Sequence, residues 1–409
     1  MTFGNEILAQ AEVLSKFTED APRLTRTYLT AEHRQAGNFI LELMRDAGMA
    51  ASYDALGNVV GRYEASHANA PTVISGSHMD SVRNAGKYDG LFGILTAIAC
   101  VKDLSARGKR LPFAIEVAAF GDEEGVRFGS TLMGSRAMAG SFDPEWLARK
   151  DANGVTLRQA LVDFGCDPEG WRALDRHGKN VVAYIESHIE QGPVLLEAGL
   201  PVGVVTSIAG ASRARVSVTG LAGHAGTVPM DVRRDALTAA SEMILAVETH
   251  CRENAGLVGT VGRIEALPGA VNVIPQDVSF SIDLRSGEDG PRREAIGAVR
   301  GKIEAIAKKR RVTLGWDAYF ESSAAPCDAA LQEKLAASIE RMDIAVRRLP
   351  SGAGHDAMMF PPLCPTAMLF VRCGNGGISH HPDEILAAED ADVATSVLLD
   401  FLESFSPAR

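Results

Sequence analysis

Two short clusters carry residue types that do hydrolytic chemistry. Gly76-Ser77-His78-Met79-Asp80-Ser81 is followed, eleven residues past its histidine, by Asp89 in Lys87-Tyr88-Asp89-Gly90. Gly121-Asp122-Glu123-Glu124-Gly125 supplies adjacent carboxylates. Further on lie His188-Ile189-Glu190-Gln191-Gly192-Pro193 and the pair His380-His381 in a glycine-rich stretch. Histidine and carboxylate ligands without cysteine suit Zn, Mn, Co or Ni. The candidates His78, Asp89, Glu124, His188 and one of His380 or His381 exceed what one structural zinc takes. They read as ligands for two divalent ions with Asp89 shared between them. Asp80, two residues from His78, is placed to accept the other imidazole N–H and fix its tautomer. Adjacent Glu123 and Glu124 cannot point the same way from an extended backbone. Glu124 is assigned to the metal and Glu123 to the general base that takes a proton from water. The predicted chemistry is hydrolysis.

These groups need elements that deliver them to one place. Thr72–Ser77 reads as a buried strand ending at His78, Phe113–Phe120 as one ending before the acid pair, and Val181–Glu186 as one ending before His188. Thr366–Val371 feeds the loop with His380 and His381, and Asp89 opens a long apolar helix, Gly90–Leu104. Binding sites in open α/β sheets form beyond the carboxyl ends of strands. Residues 1–50 read as helical, and Leu56–Arg62 as a strand with Gly57-Asn58 in a turn. From residue 209 the pattern changes to strand 213–219, helix 235–250, strands 258–264 and 278–284, helix 292–309 and strand 311–320. That order is β-α-β-β-α-β, the split ferredoxin-like motif. The expected fold is α/β, with a catalytic domain over 1–208 and 325–409 and an inserted domain over 209–324.

Composition narrows the function classes. A net charge of −11 argues against nucleic acid or an anionic membrane as the main partner. The N-terminus, with Glu6, Glu12, Glu19 and Asp20, lacks the apolar core of a secretory signal. Leu91–Val101 is too short to cross a bilayer. Six scattered cysteines without a CxxC read as reduced thiols of a cytoplasmic protein.

The segments GSHMDS with YDG, DEEG, HIEQGP, GHAGTVPM with RRDA, NVIP with DLR, PSGAGHDA and GISHHP resemble the hydantoinase/carbamoylase branch of the M20 di-metal amidohydrolases, from about residue 20 to 400. The resemblance implies a two-domain protomer with a ferredoxin-like lid and dimerisation domain, and hydrolysis of ureido groups in allantoate, N-carbamoyl-L-amino acids or N-carbamoyl-β-alanine. It implies that His78 and His188 hold one ion, Glu124 and His380 the other, and that Asp89 bridges. His381 departs from the branch, which more often has Ser or Asn there. So does Asp122, where Glu is common.

A ureido acid offers a carboxylate, for which Arg285 in Asp283-Leu284-Arg285 is the candidate partner. Asn272 supplies amide hydrogen bonds, Gln191 faces the metal site, and Gly354 lies in a loop whose glycines admit close approach of main chain to ligand. His355, in the same loop, either binds a ligand or caps the following helix. His224 stabilises the tetrahedral oxyanion; in relatives this histidine reaches the other subunit's site, which implies a homodimer. Allantoate-cleaving relatives carry an arginine at what corresponds to Arg213. The preferred substrate is therefore allantoate, cleaved to ureidoglycine, ammonia and carbon dioxide. The alternatives are an N-carbamoyl-L-amino acid or N-carbamoyl-β-alanine, an M20 aminoacylase or peptidase activity with a hydrophobic pocket, and a non-catalytic binding protein.

Overall fold

A computed structural model describes residues 2–407. Contacts divide the chain into two compact units, Met1–Thr206 with Cys327–Leu349 and Gly354–Arg409, and Ser207–Pro326 with Pro350–Ala353. In chain order the strands are β1 (Ala50–Tyr53), β2 (Val59–Tyr63), β3 (Thr72–His78), β4 (Ala114–Phe120), β5 (Val181–Ile189), β6 (Val202–Ile208), β7 (Gly210–Thr219) and β8 (Gly223–His224). They continue as β9 (Leu257–Thr260), β10 (Ile264–Leu267), β11 (Val273–Ile274), β12 (Asp277–Ser286), β13 (Thr313–Ser322), β14 (Ala325–Pro326), β15 (Arg348–Ser351) and β16 (Thr366–Val371).

The large sheet runs β1-β2-β4-β3-β5-β16-β6-β14, with β15 also on β6. Its centre, β4-β3-β5-β16, is parallel. Strands β3, β4 and β16 are buried at every position, which is why they read as unbroken apolar runs rather than alternating ones. Helix Leu91–Ala106 is apolar nearly all round and correspondingly buried. Ile94, Leu95, Val101 and Leu104 are fully covered, each contributing about 1.5–3 kcal/mol. Its approach to the sheet is close enough that a Cβ on Gly93 would lie 2.2 Å from the Ser187 carbonyl oxygen. Alanine there would push helix and sheet apart.

The second unit has the sheet order β10-β12-β7-β13, with β9 also on β12 and every pairing antiparallel. Burial alternates along β7 and β12. One face packs on helices Ala236–Glu253 and Asp289–Arg310 through Val216, Val218, Phe280 and Ile282. The other face carries Arg213, Arg215, Asp283 and Arg285.

Several element boundaries differ from the sequence reading. The helical reading of residues 1–50 resolves into two helices, Phe3–Leu14 and Ala31–Asp46, with residues 15–30 between them. The segment between them is held by buried Arg26, which donates to the carbonyls of Leu14, Phe17 and Met79. The Gly57-Asn58 turn precedes β2, because Asp54 accepts from the N–H groups of Leu56 and Asn58. Left-handed Arg311 closes helix Asp289–Arg310, so β13 begins only at Thr313. All six cysteines are free thiols. Among the described residues, no helix is long and apolar enough to cross a membrane.

Candidate metal centre

Parallel register brings the clusters to one sheet edge. His78 at the end of β3 pairs with Phe120 at the end of β4, and His188 in β5 pairs with Phe370 in β16. Asp89 sits just before helix Leu91–Ala106, and its carbonyl accepts from the Leu91 N–H. The positive end of a helix favours a carboxylate there.

Donor atoms within 4.8 Å of one another form the groups His78–Asp89–His188, Asp89–Glu124–His380 and His78–Glu123–Glu124. Asp89 belongs to the first two. Its oxygens lie 3.7 Å from His78 Nε2, 3.3 Å from His188 Nε2 and 3.1 Å from His380 Nε2. Glu124 Oε1 lies 3.5 Å from His380 Nε2 and is buried without a hydrogen-bond partner. His381 turns away, its Nδ1 accepting from the Asp383 N–H.

The tautomers follow from the carbonyls. His78 Nδ1 lies 3.1 Å from the Asp80 carbonyl and His188 Nδ1 lies 2.9 Å from the Ile189 carbonyl. A carbonyl only accepts, so each Nδ1 carries the proton and each ring presents its Nε2 toward Asp89. Gly90 N–H makes a long contact, 3.3 Å, with His188 Nε2. Imidazole nitrogens and carboxylate oxygens converge here beside an orphaned Glu124 oxygen, an arrangement that divalent cations would relieve. The donor set fits divalent ions. Protonation shifts register the same crowding. Burial, then the nearby Asp89 charge, pushes Glu124 up to about 7. A hydrogen bond to Asp89 raises His380 to about 9, while burial lowers His188 to about 4.

Asp80 differs from its expected part. Its carbonyl, not its carboxylate, takes the His78 N–H; Oδ1 is 3.7 Å from Nδ1. The carboxylate instead accepts from the backbone N–H groups of Glu123 and Glu124, at 3.1 and 3.2 Å. It therefore orients the acid pair. Gln191 donates to both Asp89 oxygens at 3.1 Å. Gln191 and His380 both have left-handed backbones, with φ of 56° and 54°, the kind of local strain that collects in functional loops. A Cβ on Gly354 would lie 3.8 Å from Glu123 Oε1, which puts that main chain beside the acid.

Some groups around the centre carry no signal in the sequence reading. Buried Glu186 accepts from Ser77, Tyr184 and the Ala357 N–H, and forms a further group with His188 and His355. Burial pushes it up to about 8. Glu384 is also buried and accepts from the N–H groups of Tyr88 and Asp89. Both follow residues that read as ordinary strand or polar loop. Only the spacing of Glu384, four residues past His380, was available as a hint.

The remaining candidates lie in the second unit. Arg285 donates Nε and Nη2 to Asp283, each at 3.0 Å, and Nη1 to the Gly352 carbonyl at 2.7 Å. Arg213 donates Nε to the same carboxylate at 2.9 Å and lies over the Phe320 ring. His224 and Asn272 are exposed on neighbouring segments, joined by the β8–β11 pairing and by Ala225 N–H to the Asn272 carbonyl at 3.0 Å.

Residues 74–404 match peptidase family M20/M25/M40. The chain is 41% identical to an N-carbamoyl-L-amino acid amidohydrolase of Geobacillus stearothermophilus, over 92% of this chain and 91% of that one. It is 38% identical to allantoate deiminase 2 of Glycine max, over 98% and 89%. A hydantoinase/carbamoylase family amidase from Burkholderia multivorans superposes with a TM-score of 0.93 at 31% identity, over 98% and 97%. The chain belongs to peptidase family M20/M25/M40. Within it, the chain is a hydrolase acting on C–N bonds.

Proposed function

We propose that the chain hydrolyses the ureido C–N bond of a small acid with two divalent ions, and that its substrate is allantoate. The observation that carries the two-ion reading is the membership of Asp89 in both ligand groups. His78 and His188 would hold one ion and Glu124 and His380 the other, with Asp89 shared between them; the donor set suits Zn, or Mn, Co or Ni. Bound divalent ions acidify water and polarise a carbonyl. Glu123 takes the proton of the water that attacks the carbamoyl carbon and passes it to the departing nitrogen, which leaves as ammonia. The carbamate left behind loses carbon dioxide, and ureidoglycine remains. Arg285 and Asn272 recognise the acid, Gln191 orients the ureido group beside Asp89, and His224 stabilises the oxyanion.

The sheet order of the second unit supports reading residues 209–324 as a ferredoxin-like domain inserted between segments 1–208 and 325–409; we propose that it serves as lid and dimerisation domain of a cytoplasmic homodimer. A second substrate reading, an N-carbamoyl-L-amino acid, is favoured by the 41% identical relative. The test is ammonia release by metal-stripped and reloaded protein on allantoate, N-carbamoyl-L-amino acids and N-carbamoyl-β-alanine side by side. Turnover that does not depend on added metal counts against the reaction proposed. A preference for carbamoyl amino acids replaces the substrate.

A further inference from the structure

The carboxylate of Glu384 joins two separate ligand-bearing segments. Its Oε1 accepts from the N–H groups of Tyr88 and Asp89, at 2.8 and 3.2 Å. Its Oε2 accepts from the Ser379 hydroxyl at 2.7 Å. Ser379 directly precedes His380, and its hydroxyl accepts in turn from Gln191 Nε2 at 3.3 Å. The same Gln191 amide donates to both Asp89 oxygens. An amide nitrogen has two hydrogens, and this geometry uses one on the carboxylate and one on the serine. The circuit closes: Glu384, Ser379, Gln191, Asp89 and back to Glu384 through the Asp89 N–H.

Packing singles out the same residue. Glu384 is only 4% exposed. A Cβ on Gly86 would lie 2.3 Å from both Cδ and Oε1 of Glu384. Glycine at 86 is therefore required by the nearness of this side chain, since Gly86 itself has no left-handed backbone.

The two ligand groups depend on this circuit unequally. His78 and His188 are strand residues, each oriented by a carbonyl close by in sequence. His380 and Asp89 sit on loops, and Glu384 is bonded to both loops. Resting on the two-ion reading above, we propose that Glu384 is a positioning residue that assembles the Asp89–Glu124–His380 ion site, while the histidines of the other site stand without it. The chain thus has one ion site built on strands and one built by a clamp.

The test reads metal rather than turnover. Metal-free wild type, Glu384→Gln, Ser379→Ala and Gly86→Ala are titrated with Zn²⁺ by calorimetry, and the ions retained after gel filtration are counted by elemental analysis. Circular dichroism checks folding. Ser379→Ala, at a half-buried position, carries the test if a variant at 384 or 86 unfolds. The expected result is two ions in wild type, with the second binding event weakened roughly ten- to a hundredfold in the variants and the first changed by less than about threefold. Two unchanged events in the folded variants, or equal weakening of both, overturns the role of Glu384. A wild type that takes fewer than two ions overturns the two-ion reading, and this proposal with it.

Discussion

The two units hold their charges in opposite ways. In the first, His78, Asp89 and His188 are 2%, 6% and 1% exposed, at the ends of strands or beside a buried helix. In the second, Arg213 and Arg285 stand on the open face of a sheet, with side chains 37% and 32% exposed around one shared Asp283. A buried charged cluster is satisfied only by its own partners, so removing one leaves the others uncompensated. Half-exposed arginines are resolvated when a partner is lost, and only the direct interaction disappears. Loss of Asp89, which two ligand groups share, is therefore expected to act on the whole centre, and loss of an arginine in the second unit on one interaction.

The sharpest way to break this contrast is Asp89→Asn. It is expected to abolish turnover and remove both ions, read by elemental analysis; a variant that retains two ions refutes the sharing of Asp89. Glu123→Gln comes next. It should lower kcat by roughly 10²–10⁴-fold with metal content unchanged, and metal loss would move Glu123 from base to ligand. Arg285→Lys removes the two-pronged contact and should cost about 1.5–3 kcal/mol, seen as a rise in KM of roughly ten- to a hundredfold with metal content intact. The smallest and most selective effect is expected for Arg213→Gln. Allantoate turnover should fall several-fold more, roughly one hydrogen bond's worth, than turnover of a simple carbamoyl amino acid. Equal losses on the two substrates would take Arg213 out of substrate choice.

The same contrast explains what the sequence made legible. Strands β3, β4 and β16 are buried on both sides, so they announce themselves as apolar runs, and the polar residues just past them stand out. Strands β7 and β12 alternate, but the strand read over 258–264 is two, β9 and β10, and the two-residue strands β8 and β11 left no pattern to read. Short strands β1 and β15, four residues each, are too brief to establish a period. Glu384 and Glu186 were missed for a different reason. A buried carboxylate is defined by the donors folded around it, and those of Glu384 come from residues 88, 89 and 379. Nothing within Pro382-Asp383-Glu384 distinguishes it from a solvated loop. Asp80 was placed near the right neighbours, but whether its carbonyl or its carboxylate meets His78 is a matter of local backbone direction that spacing does not encode.

The carbonyls of Asp80 and Ile189 have one more consequence. They fix two imidazoles in tautomer and direction from within the chain, so those rings are ready before any ion arrives. Loading is then separate from folding, unlike small zinc domains that fold only around their metal. Nitrogen and oxygen donors of this kind accept several late first-row ions, and availability acts with ligand type and geometry in selecting among them. The catalytic rate of this enzyme would then track the trace-element supply of the cell that makes it, with nutrition setting a property usually credited to the gene.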